Sequence, residues 1–170
     1  MKKYLLFCLF VLINLSVSAQ DVIASFLDKH GKDDNLEVVS IGKKMMEAII
    51  ELTSDNPGLT EAIKGVETIR IVSSKEGDLN KEYYNSAQQL LSESKKLKEF
   101  FSISENDRKL TVMTRESRGN IKELLLLSEQ ADGFNFISIR GTIHLDDLLN
   151  YSESLNIKEL KKLHSVKRNQ

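Results

Sequence analysis

The sequence predicts an α+β (mixed α/β) domain with a single five-stranded sheet and helices packed mainly on one face. Segments rich in β-branched residues alternate with segments of helical apolar spacing, and turn-forming clusters separate them. The composition, 41% hydrophobic and 29% charged over 170 residues, is typical of one globular domain. The order of segments predicts two early strands in a β-α-β arrangement, followed by a three-strand antiparallel meander.

The N-terminal segment has the pattern of an export signal. Two lysines precede an apolar run of about a dozen residues from Tyr4 to Leu15, and small residues follow at Val17 and Ala19. We expect cleavage after Ala19, so that residues 1–19 form a cleaved signal peptide. The alternative, an uncleaved membrane anchor, is disfavoured because a bilayer span needs about 20 apolar residues.

Cysteine usage and charge narrow the expected location and partners. The only cysteine, Cys8, lies inside the apolar run, whereas a bacterial lipoprotein needs its cysteine directly after the cleavage site, where Gln20 stands. We therefore expect a periplasmic or secreted protein that is not lipid-anchored and has no disulfide. Removal of Lys2 and Lys3 leaves 22 basic residues against 25 acidic ones, a net charge of −3, which disfavours a nucleic-acid partner.

Residues 20–155 are predicted to form the domain. Its first strand, LEVVSIG, leads into a helix, KKMMEAIIEL, with an apolar stripe of Met45, Ile49 and Leu52 and with Ser40 at the expected N-cap. A short helix, LTEAIKG, and a second strand, VETIRIVSS, follow. Because helices separate the two strands, we expect a parallel, right-handed crossover between them.

The second half of the domain predicts a long helix and the meander. The helix is expected from Leu79 to Leu97, and the strand RKLTVMTRE follows it. The stretch from Ile121 to Ser128 contains four consecutive leucines, which indicates a strand buried on both faces. The Asp-Gly pair after it predicts a hairpin turn into the next β-rich segment. A helix, LDDLLNYSESL, closes the domain, and residues 156–170 form a basic tail, either helical or frayed.

Motifs for catalysis are fragmentary. Ser40 and Lys43 have the spacing that serine acyl-transfer enzymes of the penicillin-binding type use, because one helical turn brings the amine to the hydroxyl. Ser92 and Lys95 have the same spacing by chance within a lysine-rich helix, and the companion motifs of those enzymes are absent. We therefore expect no enzyme, with an unrecognised hydrolase around Ser40 as a minor alternative.

A metal site is also disfavoured. His144 stands close to Asp146 and Asp147, but position 148 holds leucine rather than the second histidine that a helical metal site would place there. The two aspartates suit the first turn of a helix, where the helix dipole favours negative charge. We expect no metal and no cofactor.

Five basic residues are candidates for contacts with a ligand or a partner. Arg115, Arg118 and Arg140 lie on strands that flank the leucine-rich strand, where they would meet an anionic ligand or else pair with neighbouring acidic residues. Lys161 and Lys162 belong to the basic tail, which carries five basic residues and one acidic residue. That tail would either lie on the domain or make peripheral contact with an anionic membrane surface.

Three segments together resemble a known family: EVVSIGKKMMEAI, VETIRIVSS and RGNIKELLLLSEQADGFNFISIRGTIHLDDL. Their order is similar to that in the DUF4252-type family of uncharacterised secreted or lipoprotein envelope proteins of Bacteroidetes. The resemblance covers roughly residues 21–155 and implies an envelope protein without an assigned activity or catalytic residues. Many members carry a lipidation cysteine, and Gln20 departs from that pattern.

These observations favour a non-catalytic exported envelope domain. Its expected role is binding to another envelope protein, or sensing and regulation at the envelope. The alternative is a small-ligand or lipid-binding module that uses a sheet face and its arginines.

Overall fold

A computed structural model describes the chain in five ranges, 21–74, 77–105, 108–131, 133–152 and 158–168. The predicted signal peptide and the predicted turn residue Asp132 lie outside these ranges.

Helices and strands alternate only in part along the described residues. The helices are α1 Val22–His30, α2 Lys43–Leu52, α3 Pro57–Ile63, α4 Asn80–Glu93, α5 Leu145–Asn150 and α6 Lys158–Arg168. The strands are β1 Leu36–Ile41, β2 Val66–Ser74, β3 Lys98–Glu105, β4 Arg108–Ser117, β5 Asn120–Gln130 and β6 Gly133–Ile143.

The strands form one antiparallel sheet in the order β1-β2-β6-β5-β4-β3. The α+β class fits this architecture, but the predicted count of five strands is wrong because the sheet has six. The additional strand is β3, which pairs with β4 at one edge. β1 occupies the opposite edge.

The predicted parallel crossover between the two early strands is also wrong. β1 and β2 pair antiparallel over six residues without a register shift. Two helices, α2 and α3, lie between them in the chain. Each helix reverses the chain direction, so two helices return the chain to the end of the sheet at which β1 finished. β2 therefore runs opposite to β1, whereas a single helix would have produced the parallel arrangement.

The additional strand β3 lies directly after the predicted helix, in residues for which the sequence predicted no element. The apolar spacing continued to Leu97, but α4 ends at Glu93, and Ser94 after it has extended backbone angles (φ −82°, ψ 101°). Lys98 then begins β3. Neither glycine nor proline marks this boundary, so the usual helix-stop signals are missing from the sequence.

The predicted three-strand meander is confirmed as β4, β5 and β6. The antiparallel register of the last two strands extends to Gln130 opposite Gly133, which confirms the hairpin. The four leucines, Leu124–Leu127, are fully buried, as expected for a strand with both faces covered. Alternate leucines therefore point to opposite sides of the sheet.

Helices cover both faces of the sheet, so the prediction that they pack mainly on one face is wrong. We call the side of Leu124 and Leu126 the first face, because both belong to a core that α2, α3, α5 and α6 cover. The second face carries Leu125 and Leu127, in a separate core covered by α1 and α4. The second core is aromatic, with Phe26 stacked on Phe134 at a centroid distance of 5.6 Å.

A close backbone crossing joins the start of β2 to the end of β6. The N–H of Thr142 donates to the carbonyl of Gly65 at 2.7 Å. A Cβ atom on Gly65 would lie 2.0 Å from the Thr142 carbonyl oxygen, and Gly141 has a positive φ of 142°. Both glycines are therefore explained by the crossing itself.

Part of the basic C-terminal segment is a helix that contributes to the core. In α6, Leu160 is fully buried in the first core, and Glu159 is 3% exposed. The hydroxyl of Ser128 donates to the Glu159 carboxylate at 3.0 Å, which ties this helix to the central strand β5.

Candidate functional site

A row of charged side chains crosses the second face of the sheet beyond the aromatic core. Its centre is Glu123, which is 2% exposed. The carboxylate accepts hydrogen bonds on Oε1 from Arg140 Nε at 2.7 Å and from Ser138 Oγ at 3.1 Å. Arg115 Nη2 forms an ion pair with Glu123 Oε2 at 2.7 Å. The angles of this contact do not make it a hydrogen bond. Neighbouring strands thus supply one buried carboxylate with two arginines.

Asp21 forms the second carboxylate of this row. Its Oδ2 accepts hydrogen bonds from Arg140 Nη1 at 2.9 Å and Arg70 Nη1 at 3.2 Å, while Oδ1 caps α1 through the N–H of Ala24 at 3.1 Å. Burial acts to raise the pKa of Asp21, but the Ala24 hydrogen bond and the two guanidinium groups outweigh it and lower that pKa overall.

Arg140 is shared by both carboxylates. Burial acts to lower the pKa of Arg140, but the hydrogen bond and charge of Glu123, together with the charge of Asp21, raise it overall. Three arginines face two carboxylates in the row, so its formal charge is +1. The arginine charges are therefore largely compensated within the domain.

The structure brings together two of the three arginines that the sequence singled out. Arg115 and Arg140 both contact Glu123, which lies on β5 between their two strands. These two arginines therefore pair with a neighbouring acidic residue, which was the alternative to binding a ligand. Arg118 does not join them: it lies in the β4–β5 turn, is exposed, and has a positive φ of 53°, followed by Gly119 at 78°. Consecutive positive φ values are typical of a type I′ turn, so Arg118 is the first of the two residues in the β4–β5 hairpin turn.

Two members of the charged row were missed from the sequence. Asp21 stands directly before the apolar segment VIASF, and that N-cap position was a usable signal. Arg70 interrupts an apolar strand, TIRIV, at a position that shares a face with Ser138. A charged residue in the middle of such a strand predicts a partner, but the identity of that partner depends on the strand order.

A small cavity lies beside the row, between β1, β2 and β6. Its volume is about 160 Å³, and its polar lining comes from the side chains Asp21, Ser40, Thr68, Arg70, Ser138 and Arg140. The cavity offers hydroxyl groups and two partly exposed guanidinium groups to a small ligand.

Ser40 does not occupy the position that a catalytic serine would need. It lies within β1, and the N-cap of α2 is Gly42, which makes no side-chain cap. The expectation of a serine N-cap was wrong because the strand continues to Ile41. Ser40 and Lys43 are therefore on different elements rather than one helical turn apart.

A serine and a histidine do meet elsewhere. His30 Nε2 lies 2.9 Å from Ser86 Oγ, and Lys29 Nζ donates to the same oxygen at 3.2 Å. Burial, followed by the charge of Lys29, lowers the pKa of His30, which favours the neutral ring. Ser86 is 8% exposed and sits inside α4, where its backbone N–H is used by the helix. The pair therefore joins α1 to α4 and leaves little access for a substrate.

His144, Asp146 and Asp147, for which the sequence disfavoured a metal site, lie at the start of α5. His144 is the exposed N-cap of α5, and Asp146 and Asp147 lie in its first turn. Within the described ranges, no three or more histidine, cysteine or acidic side chains are grouped closely enough to hold a metal ion. A separate open cleft of about 440 Å³ is acidic, with carboxylates from Asp34, Glu37 and Asp78 in its lining.

The tail residues are placed only in part. Lys161 lies in α6, is partly buried and has an interaction partner. Lys162 lies in the same helix. Membrane contact through these two lysines stays a prediction. Among the described helices, none is long and apolar enough to cross a membrane.

An exposed apolar surface lies at the β1 edge of the sheet. We call it the edge surface and define it by Val38, Val39, Met45 and Leu52, which are 46%, 51%, 58% and 84% exposed. Val39 points to the first face, on which α2 lies, whereas Val38 points to the second face. The first two belong to β1, which has no neighbouring strand on its outer side among the described residues. The other two belong to α2, which packs on the first face against β2.

Helix α2 buries part of its apolar side and leaves the rest exposed. Met46 is its buried residue, with Ile49 and Ile50 partly buried beside it. The stripe that the sequence emphasised runs through Met45 and Leu52, and the structure leaves both of these ends in solvent. Apolar helix faces normally pack on a core, so this stripe has the character of an unused contact surface.

The profile of a family described as a domain of unknown function (DUF4252) matches residues 29–151. This range includes the sheet, the edge surface and most of the charged row, although Asp21 lies before it. No curated protein and no solved structure matches the chain significantly. Since the matched range is well over half of the 170 residues, the chain belongs to the DUF4252 family.

Proposed function

We propose that this chain is an exported, non-catalytic envelope domain that binds another protein through the edge surface. The N-terminal sequence supports export to a periplasmic or secreted location, as in the Bacteroidetes envelope proteins that the sequence resembles. The observation that carries the binding role is the group of exposed apolar side chains on β1 and α2. Binding would remove these side chains from water and supply hydrogen-bond partners for the outer edge of β1.

The two edges of the sheet differ in a way that supports this role. β3 is shielded by the charges of Lys98, Glu99 and Glu105 and by a register shift between Glu99 and Phe101. β1 has one charged residue, Glu37, and regular pairing throughout. Charges and bulges are the usual means by which a protein blocks unwanted strand pairing, and β1 lacks most of them.

Site-specific photo-crosslinking tests the proposal in cells. A photoreactive amino acid at Val39 should give a discrete crosslinked product, whereas the same residue at exposed Ser102 on β3 should not. Adding Leu52→Lys should abolish the Val39 product, since a lysine would disrupt the apolar contact. Absence of a product from Val39, or equal products from both positions, would contradict the proposal. Circular dichroism confirms that each variant is folded.

A second candidate function is the binding of a small anion in the cavity beside the charged row. It is favoured by one observation, the approach of Arg70 and Arg140 to a cavity that also has hydroxyl groups in its lining. An anionic ligand there would compete with Asp21 for the same guanidinium groups. The excess of one positive charge in the row supports an anion over a cation.

Titration with inorganic phosphate and with acetate, followed by NMR chemical shifts, tests the second candidate. Binding should perturb residues of the cavity and weaken at least about tenfold in Arg70→Gln, because one charge-assisted contact is lost. Arg108→Gln is the matched control, since that arginine forms an ion pair with Glu105 and does not line the cavity. Absence of saturable shifts, or equal affinity in the two variants, would reject an anion site.

A further inference from the structure

We infer that the partner of the edge surface is a second copy of this chain, which pairs β1 with β1 antiparallel about a two-fold axis. This inference rests on the proposed function, because it names the protein that the edge surface binds. The resulting assembly is a closed dimer with a continuous sheet that passes from one copy into the other. An isologous contact of this kind uses the same patch on both copies.

The sequence of β1 is compatible with its own antiparallel copy. A two-fold axis perpendicular to the sheet keeps each side chain on its own face. Residues on one face are an even number of positions apart, so the axis must lie midway between the two copies of a single residue. With the axis at Val39, the two copies of Val39 face each other and Glu37 lies opposite Ile41 of the other copy. The two Glu37 carboxylates are then separated along the sheet, which avoids a like-charge contact.

Helix α2 carries charges of both signs, with Lys43 and Lys44 in its first turn and Glu47 and Glu51 in its later turns. At 3.6 residues per turn, Glu47 and Glu51 lie on the opposite side of the helix from Met45 and Leu52. Apolar side chains of the two helices can therefore meet without these carboxylates entering the contact, and the four charged residues add no net charge.

The position of α2 allows the two helices to meet. Strands are spaced about 4.8 Å apart, and α2 packs against β2, one strand in from the edge. Two copies of α2 would therefore lie within about 14 Å of each other on the first face. That distance is comparable with the roughly 10–12 Å diameter of a helix with its side chains. Met45 and Leu52 would extend into the remaining gap.

The opposite edge disfavours the alternative in which copies join head to tail. Pairing of β1 with β3 of another copy would place a regular strand against one with a register shift and several charges. Such a contact would also repeat without closing and would generate fibres. The difference between the two edges therefore favours a dimer over an open polymer.

Cysteine crosslinking and mass measurement test the inference on purified protein. Cys8 is the only cysteine, so a Cys8→Ser background leaves an introduced cysteine as the only thiol. We expect a mass of two chains by light scattering, and a disulfide-linked dimer for Val39→Cys under mild oxidation. Val38→Cys would lie opposite Ser40 of the other copy and should not crosslink. Facing residues of paired antiparallel strands lie within disulfide range. Ser102→Cys on β3 should remain uncrosslinked.

A charge at the axis provides the complementary test. Val39→Lys places two lysines opposite each other and should weaken dimerisation by roughly 100-fold or more. Ser102→Lys is the matched control and should dimerise normally. A monomeric chain at all accessible concentrations, with no crosslink from Val39→Cys, would overturn the inference. If a cellular crosslink from Val39 then contains a different protein, the proposed function stands without the dimer; if no crosslink forms, both fail.

Discussion

Glu123 is the residue on which the charged row depends. It is almost fully buried, and its ionised form is compensated by Arg115, Arg140 and the hydroxyl of Ser138. A buried ion pair adds little net stability when it is complete, but the loss of one member leaves a charge without compensation. Substitution of one member of the row should therefore cost more stability than the complete row contributes to folding.

Replacement of this carboxylate by a neutral amide should be strongly destabilising. We expect Glu123→Gln to lower the free energy of unfolding by about 3 kcal/mol, because two partly buried guanidinium groups lose their shared partner. Urea unfolding measures the change. Glu61→Gln is the control: its ion pair with Lys64 is highly exposed and should contribute less than about 1 kcal/mol. Equal effects of the two substitutions would contradict the buried network.

Asp21 combines a helix cap with an ion pair, and Asp21→Asn separates these roles because asparagine caps helices equally well. The variant should lose about 1 to 2 kcal/mol of stability at neutral pH through the weaker contacts with Arg140 and Arg70. The pKa of Asp21 is lowered in the fold. Its contribution is therefore complete above the ordinary value of 3.8 and disappears as the pH falls through the lower folded value.

Urea unfolding of both proteins at neutral pH and at about pH 3 tests this dependence. The difference between the wild type and Asp21→Asn should shrink in acid. Asp55→Asn, at an exposed position, controls for the substitution itself. A difference that stays constant from neutral to acid pH would show that the charge of Asp21 does not stabilise the fold.

At the scale of single elements, local sequence signals predicted the meander but not the sheet edges. The leucine run in β5 and the turns around it were sufficient, because burial on both faces and tight hairpins are encoded within a few residues. β3 was missed because its boundary with α4 has no breaker residue. The direction of β2 depends on how many helices precede it, which local periodicity does not convey.

The charged row also could be predicted only where its residues lie on strands that are neighbours in the sequence. Arg115, Arg140 and Glu123 could be assigned to neighbouring strands once the meander was predicted. The addition of Arg70 required the knowledge that β2 lies beside β6, a contact between segments distant in the sequence. The edge surface was also unpredictable, because the helical spacing of α2 identifies an apolar stripe but not whether a core covers it.

The C-terminal helix α6 is an integral part of the first core. Leu160 is fully buried, so Leu160→Ala should lower the free energy of unfolding by about 2 to 4 kcal/mol through lost burial and a residual cavity. Leu79→Ala is the matched control, since that leucine is 38% exposed, and it should cost less than about 1 kcal/mol. Equal stability of the two variants in thermal or urea unfolding would contradict this placement of α6.

At the scale of the whole molecule, the sheet separates two independent cores and presents two unlike edges. The inner strands β2, β6, β5 and β4 have neighbours on both sides, whereas β1 and β3 each have one neighbour within the part of the chain that the structure describes. The β3 edge carries three charged side chains and a bulge besides the 48% exposed Phe100, whereas the β1 edge carries one charged side chain and no bulge. A molecule with this asymmetry can associate without polymerising, which connects the fold directly to the proposed interaction role.

Hydrogen exchange should report this asymmetry residue by residue. Amides of β5 and β6 should exchange slowest, since they open only with the whole domain, while outward amides of both edge strands should exchange quickly in dilute protein. With increasing protein concentration, β1 should become protected as it pairs with a second copy, and β3 should not change. Mass spectrometry of peptides from the two edges, at concentrations below and above dimerisation, measures the difference. Protection of β3 instead of β1 would place the interface at the opposite edge and contradict the inference. No change at either edge would show that the chain stays monomeric.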